Sequence, residues 1–217
     1  MQNSKQNFVL WAVVGVIVIG SVFGMIKLAS VKPGNNGDND SNLTVSALSA
    51  TDQIKGNASS TNVIIEYSDF QCPACASYHP IVKQFVADSG DKVAFVYRHF
   101  PLPQHKNAKT SAAAAEAAGK QGKFWEMHDL IFENQKAWEN SAKAEEIFTG
   151  YARQLGLNVE QFAADYNSEE IKAKVDADYK SGVKAGVNST PSFFLNGKKI
   201  TNPRSYDEFK TLLQQNG

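Results

Sequence analysis

Apolar positions along this chain follow three regimes. The first is unbroken: Phe8 to Ile26 is 19 residues without a charge, interrupted only by Gly15, Gly20, Ser21 and Gly24. As a helix the run would extend roughly 28 Å, close to the ~30 Å hydrocarbon thickness of a bilayer. It is longer than the ~7–15-residue core of a cleaved leader. A transmembrane anchor or signal-anchor is therefore expected over residues 8–29, behind a short tail at 1–7, with a cleaved signal as the alternative. The second regime, from Ser30 to Ser46, is rich in Gly, Asn, Asp and Ser with Pro33-Gly34 near its start. Such composition predicts a flexible linker, placed here at 30–56. One globular domain is expected over 57–217.

Within that domain the pattern alternates between periods. Val63–Ser68 is β-branched and apolar, as a buried strand requires. Ala76, Ile81, Val82, Phe85 and Val86 recur at helical spacing up to the Ser89-Gly90 break. Val93–Tyr97 predicts a second short strand, ended by Pro101 and Pro103. Strand, helix and strand in this order make a βαβ unit. From Lys106 to Lys184 the pattern is nearly all helical. Ala112–Ala118 is a strong helix former, and Phe124, Met127, His128, Ile131 and Phe132 share one buried face. Further helices are predicted around 144–155, 159–166 and 169–185. His128 on its apolar face is expected to be a satisfied core histidine.

After Val187 the period shortens again. Ser192–Leu195 and Lys199–Thr201 flank Asn196-Gly197, a pair favoured in type I′ hairpin turns. Ser205 and Glu208 have capping-box spacing before a last helix with Phe209, Leu212 and Leu213 as its stripe. The predicted order is β-α-β, a helical block, then β-β-α.

Charge narrows the function classes. The 217 residues carry 22 basic and 22 acidic side chains, a formal net charge of zero. No basic block or aromatic-basic alternation suggests nucleic acid.

The candidate chemistry lies in the only two cysteines, Cys72-Pro73-Ala74-Cys75, between the first strand and first helix of the domain. Three residues are nearly one helical turn, so both sulfurs would share a face. Cys72 would meet the unpaired amides and positive dipole end of the helix, which favour thiolate over thiol. Pro73 suits the first helical turn, where its missing N–H costs nothing. Thiolate is the nucleophile of disulfide exchange, so Cys72 is the expected attacking sulfur and Cys75 the resolving one. A closed zinc site would need four ligands, and only His79 is near in sequence. Haem attachment needs His directly after the second cysteine, where Ala76 stands. A structural bridge across so short a loop would stabilise little.

The order of elements, with the cysteines at the first strand-helix junction, resembles the thioredoxin fold with an inserted helical domain, at about 104–186. The chain is similar to the DsbA family of exported thiol-disulfide oxidoreductases, notably its membrane-anchored, BdbD-like members. Four stretches carry the likeness: Glu66–Cys75, Tyr97–Leu102, Gly122–His128 and Thr190–Gly197. The resemblance implies that Pro191 is a cis-proline beside the cysteines, leaving the Thr190 backbone to pair with substrate. It implies that Glu66 is buried beneath the disulfide, where it could take or relay the Cys75 proton.

Pro73 and Ala74 occupy the positions that tune redox potential. The family's strongest oxidants have His where Ala74 stands, so one source of thiolate stabilisation is missing here. A Cys72 pKa between the ~3.5 of DsbA and the ~7 of thioredoxin is expected. No cofactor beyond the redox-active pair is implied, and no metal. Implied partners are exported client proteins with cysteines, a quinone-linked membrane reoxidase, and lipid around the N-terminal helix. The location implied is the bacterial cell membrane with the catalytic domain outside. Oxidation of clients is the first functional expectation. Reduction or isomerisation on the same fold is the second, and a thioredoxin-like module holding a metal through Cys72, Cys75 and His79 the third.

Overall fold

The structure, a computed structural model, describes Val45 and residues 48–216. The expected tail at 1–7, the anchor at 8–29 and most of the linker lie outside the described residues. Among the described residues no helix is long and apolar enough to cross a membrane.

Five strands form one sheet: β1 (Gln53–Gly56), β2 (Val63–Ser68), β3 (Ala94–His99), β4 (Ser192–Leu195) and β5 (Lys198–Lys199). Their spatial order is β1-β3-β2-β4-β5. Only β2 and β3 run parallel, joined through helix α1 (Pro73–Ser89). The buried runs of β2 and β3 explain their central places, since a strand covered on both faces needs apolar residues at nearly every position.

Residues 53–56 correct the expected linker boundary. They form an edge strand antiparallel to β3, with Gln53 opposite Tyr97 and Gly56 opposite Ala94. Gln-Ile-Lys-Gly has a single apolar residue, too little for a pattern to register. Its order comes from elsewhere: Ile54 packs on the sheet and its carbonyl accepts the Trp125 indole N–H at 3.2 Å. Val45 is tied in as well, its N–H donating to Gly197 at 2.8 Å. The folded domain therefore begins before residue 57.

Between β3 and β4 lie six helices: α2 (Ala108–Gly119), α3 (Phe124–Glu133), α4 (Gln135–Trp138), α5 (Ala144–Gln154), α6 (Val159–Tyr166) and α7 (Glu169–Lys184). The one-turn α4 escapes the periodicity because it is shorter than the pattern itself. A final helix, α8 (Tyr206–Asn216), closes the fold. Asn196 and Gly197 have φ of 50° and 83°, the two positive values a type I′ turn requires. Ser205 Oγ accepts the Glu208 N–H at 3.3 Å, while the Glu208 carboxylate reaches back to Arg204 N at 2.8 Å, one residue short of a regular capping box.

The sheet divides the core. On one face Ile64, Phe95, Phe193 and Leu195 meet Val82, Phe85 and Val86 of α1 and Phe209 of α8. Phe70, Tyr97 and the cysteines continue that face into the inserted helices. On the other face Ile65, Tyr67, Val96 and Phe194 pack with Phe100, Tyr179 and Ala185. A buried polar tie crosses this second layer. Arg98 is bidentate to Asp52 at 2.8 and 2.9 Å and donates to the Tyr67 hydroxyl at 3.1 Å, which meets Ser181 Oγ at 2.8 Å.

Gly182 sets how closely α7 approaches the sheet. A methyl group there would lie 2.7 Å from the Phe100 ring and 3.0 Å from the Tyr67 ring. Gly182→Ala should gain ~1 kcal/mol of helix propensity but lose about 1–3 kcal/mol to overpacking. The expected result is a net loss of stability in urea denaturation. A more stable variant would show that the layer has slack.

Candidate active site

The loop that carries the cysteines is held by hydrogen bonds to its backbone and to Asp69 and Gln71. The Asp69 carbonyl accepts the Cys72 N–H at 3.0 Å, turning the chain from β2 into α1. The Asp69 carboxylate is fully used: Oδ1 accepts Gln71 N at 2.8 Å, and Oδ2 meets Leu102 N at 2.9 Å and His105 Nδ1 at 2.7 Å. The inserted helices hold the loop from the other side. Gln71 bonds to the Glu139 carbonyl and the Asn107 N–H, each at 2.7 Å. Gln135 donates to the carbonyls of Phe70 at 2.7 Å and Cys72 at 3.1 Å. Sequence reading missed Asp69, Gln71, Asn107 and Gln135. Asp69 carried a local signal, an Asx turn just before a helix start. Gln135 carried none, since its partners are 63 and 65 residues away.

Cys72 is the N-cap of α1 and Pro73 its first residue, as expected from the sequence. Both cysteines are buried thiols, with 7 % exposure at Cys72 and 1 % at Cys75. Cys72 Sγ lies 3.6 Å from the Thr190 carbonyl, and the Thr190–Pro191 peptide is cis. Thr190 and Pro191 thus come beside Cys72 from more than a hundred residues away. Pro73 and Ala74 are exposed on the outer rim.

The two sulfurs differ electrostatically. The Cys72 pKa falls to about 5, chiefly because the Cys75 thiol hydrogen-bonds the thiolate; partial burial opposes this, and Thr190 and the backbone N–H groups of Cys75 and Ala74 add to it. Ala74 therefore acts through its peptide rather than its side chain. Cys75 is pushed well above the usual thiol range by burial first, then by the hydrogen bond to Cys72 and the charge of Glu66. Glu66 is buried in β2 and rises to about 7, mainly from desolvation, with Ser68 opposing and the Cys72 charge reinforcing.

His79 does not face the sulfurs. Its Nε2 lies 3.0 Å from Asp129 Oδ1, which also meets His128 Nδ1 at 3.0 Å, while Lys83 pairs with Oδ2 at 2.9 Å. Burial keeps His128 neutral, with its pKa down to about 4. Among the described residues, the groupings compact enough for a cation are His79–His128–Asp129 and His99–Glu116–Asp178; neither contains a cysteine.

Residues 48–215 match the family described as thioredoxin. The chain belongs to the thioredoxin family. Within this family it resembles a thioredoxin-like oxidoreductase from Silicibacter pomeroyi DSS-3 at 26 % identity and a TM-score of 0.66, over 77 % of this chain and 93 % of that one. The oxidised BdbD of Bacillus subtilis shares the fold at 24 % identity and a TM-score of 0.68, covering 82 % and 98 % of the two chains. A sodium/proton antiporter NhaA of Herminiimonas arsenicoxydans is 38 % identical over 156 residues, 72 % of this chain but 24 % of that protein. The chain spans about a quarter of the length of the curated relatives it matches. The Cys72–Cys75 pair of this thioredoxin-family chain thus stands on the fold that these solved structures share.

Thiolate absorbance of the reduced protein should rise around pH 5 and vanish in Cys72→Ser; no rise before pH 8 would refute the assigned stabilisation. Glu66 gives a second test. Its folded pKa of about 7 exceeds the ordinary 4.5, so its contribution to stability is full below pH 4.5 and is lost as pH climbs to 7. At ~1.4 kcal/mol per pH unit the loss is roughly 3 kcal/mol. Glu66→Gln should remove that slope, read as the difference between variant and parent in urea melts at pH 4.5 and 7.5. Parallel curves would count against a buried, neutral Glu66.

Proposed function

We propose that the chain introduces disulfides into client proteins. The observation that supports this most is Cys72 at the N-cap of α1 beside the cis Thr190–Pro191 peptide, a setting that lowers its pKa to about 5. Stabilising the reduced form makes the oxidised form a stronger oxidant, and a low-pKa sulfur leaves readily. A client thiolate attacks Cys72 Sγ, the Cys72–Cys75 bond breaks, and a mixed disulfide forms. Cys75 departs as thiolate and takes a proton, for which the neutral Glu66 carboxyl is the proposed source. A second client thiolate then attacks the client's own sulfur and expels the Cys72 thiolate. The client gains a disulfide; the protein is left as a dithiol.

The cis Thr190–Pro191 loop is proposed to receive the client backbone beside Cys72. Pro73 and Ala74 are proposed to set the potential from the exposed rim. Clients would be exported proteins with cysteines, the setting a bacterial membrane with the domain outside, held through residues 8–29. Reoxidation would come from a quinone-linked membrane partner. Support for the location is the uncharged run Phe8–Ile26 and the redox setting in which disulfides persist.

Two measurements test this. Equilibration in a glutathione buffer should place the potential nearer the ~−120 mV of DsbA than the ~−270 mV of thioredoxin. In the native host, Cys75→Ser should accumulate proteins disulfide-linked through Cys72. A thioredoxin-like potential together with an empty trap would overturn the oxidase reading.

A further inference from the structure

The segment that leads into β4 is tied by side chains on both sides of one peptide group. Three successive carbonyls are involved. That of Ser189 accepts the Ser192 hydroxyl at 2.8 Å, and that of Pro191 accepts the Asn202 amide Nδ2 at 2.6 Å. The carbonyl between them, of Thr190, is the one that lies 3.6 Å from Cys72 Sγ. The backbone has only two soft dihedrals per residue. Tying the groups on either side therefore leaves the Thr190 carbonyl little freedom to turn from the sulfur.

Asn202 does here what a longer strand would do. β4 pairs with β5 through Phe194 opposite Lys199 and Leu195 opposite Lys198, and the Ile200 N–H donates to the Phe193 carbonyl at 3.0 Å. One step further along, Asn202 continues the pairing with its side chain: Oδ1 accepts the Phe193 N–H at 3.4 Å while Nδ2 reaches Pro191. The partners decide which end of the amide is which, since a carbonyl needs a donor and an N–H an acceptor. Pro191 has no N–H to offer a neighbouring strand, and Pro203 favours extended backbone at Asn202. On its other side β4 lies against β2, with Phe193 opposite Glu66 and Ser192 opposite Tyr67. Asn202 is half-buried, whereas Asn188 and Ser189 are exposed. The loop is braced from the hairpin and open to solvent just before Thr190.

We propose that Asn202 is a positioning residue for polypeptide clients, its amide holding the Pro191 carbonyl so that the Thr190 peptide is presented beside Cys72 for a client backbone to pair with. It acts through Pro191 and not on the sulfurs. A thiol without peptide bonds has no use for that presentation, so Asn202 favours polypeptides and leaves small thiols unaffected. Aspartate has nearly the same shape but no donor when ionised, and would set an oxygen against the Pro191 carbonyl. The proposal rests on the reading, given above, of the Thr190–Pro191 loop as the place where the client backbone is received.

The test follows single-turnover reduction of the Cys72–Cys75 disulfide by two donors, a short unstructured peptide with two cysteines and dithiothreitol, with acid quenching and mass spectrometry. In each case the protein disulfide becomes a dithiol and the donor dithiol a disulfide. In Asn202→Ala and Asn202→Asp the half-saturating peptide concentration should rise roughly tenfold, below the ~10²-fold that a misplacement of about 1 Å can cost. The limiting rate with peptide and the rate with dithiothreitol should both stay parental, a split that general loosening of the fold would not produce. Reduced protein with the disulfide form of the peptide gives the same comparison in reverse, so the split is read whichever direction the protein favours. Peptide and dithiothreitol rates that fall together, or variants that match the parent with peptide, overturn the proposal and leave the loop reading standing. A parent that never saturates with peptide overturns the loop reading, and the Asn202 proposal falls with it. Should Asn202→Asp fold poorly, Asn202→Ala carries the same expectation.

Discussion

Two sulfur atoms one helical turn apart sit in surroundings of opposite electrical preference, and the remaining structure serves that difference. Cys72 faces the amide-rich start of α1, where negative charge is welcome. Cys75 lies beneath it, above a buried carboxyl, where a second negative charge is opposed by burial and by its neighbours. Ionising both groups in that layer would be expensive. Cys75 and Glu66 are both held toward their neutral forms while Cys72 is not.

Keeping that difference requires the loop before α1 to be rigid. Asp69, Gln71, Gln135 and Asn107 supply this by satisfying backbone groups that a tight strand-to-helix turn leaves open. Three of the four contacts reach into the inserted helices, so the insertion is more than a lid. It fixes the direction in which the first amides of α1 point, and hence how well they stabilise the Cys72 thiolate. Asp69 adds a link to the β3–α2 connection through Leu102 and His105.

Ala74 shows why the absence of a polar side chain between the cysteines does not leave Cys72 an ordinary thiol. Its peptide N–H still points at the thiolate, as does that of Cys75. Backbone donors are set by helix geometry and survive substitution, whereas a side chain there would tune the value further. His79 and His128 are spent differently. They bind Asp129 and, with Lys83, wall a cleft that Glu66 also lines instead of approaching the sulfurs.

Most of the secondary structure was legible in the residues because its signals are local. Val63–Ser68 and Val93–Tyr97 are apolar at nearly every position, the 124–132 stripe has helical period, and Asn196-Gly197 supplies the positive φ of its turn. The Cys-Pro-Ala-Cys spacing by itself placed a cysteine pair at a helix start, and Cys72 is the N-cap of α1. Strand β1 was not legible: four residues with one apolar side chain are ordered by the edge they join and by Trp125. Nor were the loop clamps or the turn of His79 toward Asp129. Each depends on groups far apart in the chain, and burial, which sets the charge of Glu66 and Cys75, exists only once the sheet and helices have closed over them.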